Sequence, residues 1–136
     1  MARPRPVTKE KIVFVTRRCT QRQFLLRPGE VTNEIFTYCV AEAASRYGLV
    51  VLLPQMMSNH HHTCVTDTNA TLPAFKNQFH AFVARGVNAK RGRFDGFWTT
   101  HDPCDTEQLT DEETLEAIVY TYTNAVAAGL VKWAKN

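Results

Sequence analysis

Two strand-forming stretches stand almost back to back in the middle of this chain, and that pair limits the fold more than any other feature. Residues 49–57, LVVLLPQMM, are a continuous apolar run, and residues 61–67, HHTCVTD, follow after a connection too short to hold a helix. They predict a buried strand and its partner across a short turn. Helical periodicity flanks the pair on both sides. Upstream, KIVFVTRRC alternates as a first strand; after Pro28 and Gly29, residues Ile35, Phe36, Cys39, Val40, Ala43 and Tyr47 recur at helical spacing up to Gly48, a natural stop. Downstream, a second helix is expected over residues 71–89, with Pro73 in its first turn and Leu72, Phe75, Phe79, Phe82, Val83 and Val87 on one side. A loop and a short strand near residues 104–109 come next. Thr110 and Glu113 then form a capping box that opens a third helix reaching about residue 128.

The order β-α-β-β-α-β-α predicts an α+β, ferredoxin-like (RRM-like) sandwich, an antiparallel sheet with helices packed on it. Residues 1–9 carry two prolines and no periodicity, so they are expected to be a flexible N-terminal arm. Residues 10–136 then form a single domain, long enough for a core of its own. No apolar run approaches the ~20 residues of a membrane span, and no secretory signal follows the charged start, so the expected location is cytoplasmic. Cys19, Cys39, Cys64 and Cys104 contain no C-x-x-C pair, which argues against a disulfide framework or a zinc ribbon and fits packing thiols in a reducing compartment.

Charge is unevenly distributed although the net value is only +3. Residues 1–27 hold eight basic side chains against one acid, Glu10, and residues 76–93 add Lys76, Arg85, Lys90, Arg91 and Arg93 with no acid. The acids gather over residues 102–116. Segregation of this kind suits a polyanion held on one side, or else simply solvated faces.

Three consecutive histidines, His60, His61 and His62, open the second strand of the central pair. In extended chain His60 and His62 share one face and His61 takes the other. The two are a metal clamp or merely surface histidines at a strand end; Cys64 on the same face also allows a zinc set of His, His and Cys.

On the third helix, at about 100° per residue, Ile118, Val119 and Tyr122 fall within about 60° of Leu115. These four are the expected buried stripe, with Tyr122 in the core. Tyr120 and Asn124 lie near 140° and 180°, one turn apart, as an outward polar pair. They are either solvated residues or the wall of a cleft. A tyrosine hydroxyl attacks a phosphodiester if a cation polarises the phosphate, and two imidazoles with an amide oxygen would leave that cation open positions.

The strings MSNHHHTCVTD and YTYTNAVAAGLV, with TRRCTQRQFLLRP and RGRFDGFW, together resemble the single-tyrosine HUH transposases, in the REP-associated branch related to insertion-sequence-200 elements. The likeness runs from about residue 13 to residue 131. It implies His60, His62 and Asn124 as metal ligands for Mg²⁺ or Mn²⁺ and Tyr120 as the nucleophile. It implies an enzyme that cuts and rejoins single-stranded DNA, often folded as a hairpin, through a 5′-phosphotyrosine intermediate, as a monomer or homodimer in a prokaryotic, nucleoid-associated setting. The alternative is a domesticated, catalytically inactive hairpin-binding protein of the same fold. Arg17, Arg18, Arg22, Lys90, Arg91 and Arg93 are expected phosphate contacts, and Phe97 and Trp98 candidate stacking residues. The chain departs from the family pattern at His61, where an apolar residue is usual, at Ala125, where proline is usual, and at Asn136, beyond which relatives commonly continue.

Overall fold

The computed structural model describes residues 10–127, with side chains through Thr123 in the last helix. The expected N-terminal arm, residues 1–9, lies outside the described residues. Strands β1 (Lys11–Arg18), β2 (Val50–Met56), β3 (His60–Asp67) and β4 (Cys104–Gln108) form one sheet in the order β2-β3-β1-β4, every neighbouring pair antiparallel. Helices α1 (Glu30–Tyr47), α2 (Leu72–Arg91) and α3 (Asp111–Ala127) complete the expected order. This is the ferredoxin-like arrangement: β1-α1-β2 leaves a gap that β3 fills, and β4 adds to the far side of β1.

Strand periodicity divides the sheet into two faces. Val13, Val15, His61, Val65 and Asp67 point to one, and all are buried. There α1 contributes Phe36, Cys39, Val40 and Ala43, and α2 contributes Phe75, Phe79, Val83 and Val87. Spacing of i, i+3, i+4, i+7 in α1 and successive steps of four in α2 puts each set on one side of its helix. Gly48 stops α1 in the left-handed conformation (φ 73°), its N–H reaching Ala44 O, where a side chain would also run into Asn69. Asp67, the last residue of β3, accepts bonds from Thr71 N–H and Leu72 N–H, capping α2 directly from the sheet.

Two expectations are corrected. β2 is an edge strand rather than a buried one: it pairs only with β3, and Val50 and Leu52 are exposed. Its apolar run is interrupted by a register shift between Val51 and Leu53 and by Pro54, features that suit an edge. On α3 the capping box forms, with Thr110 Oγ1 accepting from Glu113 N–H, but among the described side chains the buried ones are Thr114 and Thr121. Leu115, Val119 and Tyr122 are exposed. Periodicity identifies residues that share a helix face; it does not say which face finds a neighbour, and α1 and α2 already fill the main core.

Cys19, Cys39 and Cys64 are buried and Cys104 is exposed. Burial pushes the thiols of Cys19 and Cys64 up to about 11 and raises that of Cys39. A thiol-titrating disulfide at neutral pH should therefore modify one cysteine quickly in the native protein, at Cys104, and all four only after denaturation. Rapid reaction of a second thiol would contradict the burial of the other three.

Candidate metal and nucleic-acid site

β3 is a central strand, so the start of it is held rigidly on both sides. His60 pairs with Arg18, His61 with Arg17 and Met56, and His62 with Thr16 and Gln55. The histidines alternate as strand geometry requires. His61 is fully buried on the helix side, whereas His60 and His62 are half-buried on the other, their ring centroids 4.9 Å apart and nearly perpendicular.

Both rings of the pair are held through Nδ1. His60 donates Nδ1–H to Asn59 Oδ1 at 2.7 Å, and His62 Nδ1 bonds Thr16 Oγ1 at 2.9 Å. Nε2 of each is thereby left for a ligand, and oriented imidazoles of this kind are what a metal site needs. Burial, and then the neighbouring Arg18, lowers the pKa of His60; burial, and then His60, takes that of His62 down to about 4. Both are neutral at pH 7, with lone pairs available. The donor set fits a two-imidazole clamp. Among the described residues no third His, Cys, Asp or Glu completes a set. Cys64, on the same face, is fully buried, and burial raises its thiol pKa to about 11.

His61 belongs to a buried chain of bonds on the helix side. Arginine only donates, so Arg17 Nη1–H donates a hydrogen bond to His80 Nδ1 (3.2 Å), His80 Nε2–H points to His61 Nε2 (2.8 Å), and His61 Nδ1–H reaches Thr63 Oγ1 (2.9 Å). Burial drives both imidazoles down, His61 to about 3, and keeps them neutral. The third histidine thus anchors β3 instead of disturbing it.

α3 touches β4 and β2, the two opposite edges of the sheet, so its axis crosses the sheet. With α1 and α2 on one face, α3 takes the face that carries His60 and His62. Phe14 and Cys64 point to that face by strand alternation and are buried. Tyr120 and Tyr122 are both solvent-accessible, 69% and 43% exposed, so burial does not separate them. Asn124 follows Tyr120 by one turn of α3; its side chain lies outside those described.

The basic residues fall into three groups. Arg18 and Arg22 are exposed, and Arg18 lies directly opposite His60. Lys90, Arg91 and Arg93 are bonded to Thr32 Oγ1, Leu25 O and Asn88 Oδ1 respectively, at the end of α2 and the loop after it. Arg17 instead turns to the helix side, its guanidinium 5.5 Å over the Trp98 ring. Trp98 packs against His61, His80 and Phe97 and donates Nε1–H to His80 O, and Phe97 is buried in the core. Sequence reasoning missed the orienting partners Thr16 and Asn59 and the buried His80. Asn59 was in view beside His60, whereas Thr16 emerges only from the register of β1 on β3.

The fold has counterparts among solved structures. A REP-associated tyrosine transposase bound to a REP hairpin superimposes with a TM-score of 0.77 at 14% identity, over 98% of this chain and 78% of that one. A chain assigned as a transposase in Deinococcus radiodurans R1 matches with a TM-score of 0.60, also at 14% identity, over 88% of this chain and 95% of its own. No protein-family model and no curated protein sequence matches. At this identity the likeness establishes the fold.

Proposed function

We propose that this chain is a metal-dependent single-stranded DNA strand transferase of the HUH single-tyrosine type, acting on hairpin-containing DNA. The observation that carries the reading is the His60/His62 pair: two neutral imidazoles on one face of a central strand, each held through Nδ1. The similar structure solved in complex with a hairpin supports the choice of substrate. Among the described residues no helix is long and apolar enough to cross a membrane.

His60, His62 and the Asn124 amide would hold Mg²⁺ or Mn²⁺, which supplies Lewis-acid polarisation of a phosphate oxygen. Arg18, opposite His60, adds positive charge for the same phosphate. The Tyr120 oxygen attacks phosphorus, forming the phosphotyrosine bond as the bond to the 3′ oxygen breaks; the phenolic proton is lost to solvent and the departing oxygen gains one. The 5′ phosphate stays on the protein. A 3′-OH from DNA reverses these bond changes and rejoins strands, so no external energy source is needed.

End-labelled hairpin DNA with single-stranded flanks, incubated with the protein in Mn²⁺, Mg²⁺ or chelator and run under denaturing conditions, tests this. A covalent protein–DNA species should form only with metal and fall at least 100-fold in His60→Ala/His62→Ala, since both imidazole ligands are gone (about 10- to 100-fold is typical even for loss of a supporting contact). Hairpin binding without any such species would instead favour a protein that binds DNA and no longer cuts it.

A further inference from the structure

Two phenylalanines face solvent at the end of the sheet where β3 begins. Phe94 is 100% exposed and Phe24 is 65% exposed. A lone exposed aromatic is ordinary, but these two lie on loops that are tied to each other and to the histidine strand. Thr20 N–H bonds Phe97 O, Arg91 Nε bonds Leu25 O, and the side chains of Arg93 and Gln23 meet at 3.5 Å, so the residues just before Phe94 and Phe24 are in contact. From the same loop, Leu26 N–H bonds Ser58 O and Arg22 O accepts from Asn59, the residue whose amide holds His60. Arg93 also bonds Asn88 Oδ1 and Gly96 O, which fixes the loop that presents Phe94. The loops are therefore braced while the rings themselves are free.

Cations adjoin the rings in the chain: Arg22 precedes Phe24, Arg91 and Arg93 precede Phe94, and Arg18, on the strand that leads into the Phe24 loop, pairs with His60. Aromatic faces set among arginines suit unpaired nucleic-acid bases, whose phosphates meet the charges while the bases stack. A fully paired duplex hides its base faces and gains nothing from such rings.

We infer that Phe24 and Phe94 form the platform on which unpaired bases of a single-stranded segment stack as it runs toward the His60/His62 pair. The inference rests on the nucleic-acid reading above and assigns to these rings the recognition of the flank next to a hairpin. Trp98, half-buried and bonded to His80 O, is not part of this platform.

The test compares a fluorescent hairpin carrying a single-stranded flank with the same hairpin made blunt, by anisotropy with the full chain and calcium in place of a catalytic cation. Phe24→Ala/Phe94→Ala should bind the flanked hairpin about 10- to 100-fold more weakly and the blunt one within about twofold of the parent, from the usual loss per stacked base. Phe94→Trp should keep the flank preference, and its added indole emission should be quenched by the flank. Phe94 is fully exposed and Phe24 largely so, and neither belongs to the buried core, so these variants leave that core in place. Equal affinities for both DNAs in the parent, or an unchanged flank preference in the double variant, would overturn the platform. If the parent prefers the flank and the variant does not, the platform stands even where no covalent species forms, which separates its fate from that of the cutting chemistry. Failure to bind either DNA would overturn both.

Discussion

Tyr120→Phe is expected to abolish covalent attachment to DNA while leaving the fold and most hairpin affinity in place. The substitution removes one oxygen and keeps the ring. With the side chain 69% exposed and α3 anchored through Thr114 and Thr121, little stability is at stake. With Tyr120 as the proposed nucleophile, its loss leaves no phosphotyrosine to form, so the adduct should fall by more than about 1000-fold, the scale on which removal of a covalent nucleophile acts. Tyr122→Phe is the control and should remain within a fewfold of the parent. The reverse result, with the Tyr122 variant dead and the Tyr120 variant active, would mean that the neighbouring tyrosine carries the chemistry. Both hydroxyls reach solvent, so the structure makes this comparison necessary.

The second large effect concerns folding. His61→Ala removes a fully buried ring packed at 5.0–5.8 Å from His80, Phe79, Trp98 and Phe36, and takes away the partner of both His80 Nε2 and Thr63 Oγ1. A cavity and two orphaned polar groups together should lower unfolding free energy by about 3–5 kcal/mol. His61→Leu restores much of the volume but not the hydrogen bonds, and should cost about 1–3 kcal/mol. Urea denaturation of the three proteins measures both. A loss below about 1 kcal/mol in the alanine variant would show that the ring is not the anchor of β3. The consequence reaches the functional face: a strand that slips by one residue would exchange His61 for His60 and His62 across the sheet.

Much of this architecture was legible from side-chain periodicity. The alternation in residues 60–62 gave the correct sides of the sheet for all three histidines, and the Phe36, Cys39, Val40, Ala43 spacing identified the face of α1 that meets the core. Gly48 and the Thr110–Glu113 box marked real helix ends. What failed was any inference that needed a neighbour. Leu115, Val119 and Tyr122 do share a face of α3, but in the described residues that face looks outward. LVVLLPQMM is apolar enough for a central strand, yet lies at the edge because β3 and β1 take the middle. Phe97 packs into the core and Trp98 is half-buried against it, whereas Phe94, three residues before Phe97, stands in the open with no periodicity in the sequence to mark it. Thr16 acquires its role on His62 only through pairing across 46 residues of chain.

One bond, between a tyrosine oxygen and a DNA phosphate, distinguishes a strand transferase from a protein that merely holds hairpins. The most direct measurement of it is mass spectrometry of the protein after reaction with a flanked hairpin in Mn²⁺, followed by digestion and sequencing of the nucleotide-bearing peptide. The expected result is an added 5′-phosphorylated DNA fragment on Tyr120, absent with chelator. A protein that binds the hairpin but carries no nucleotide across a panel of flanks, or carries it on another residue, would contradict the proposed chemistry.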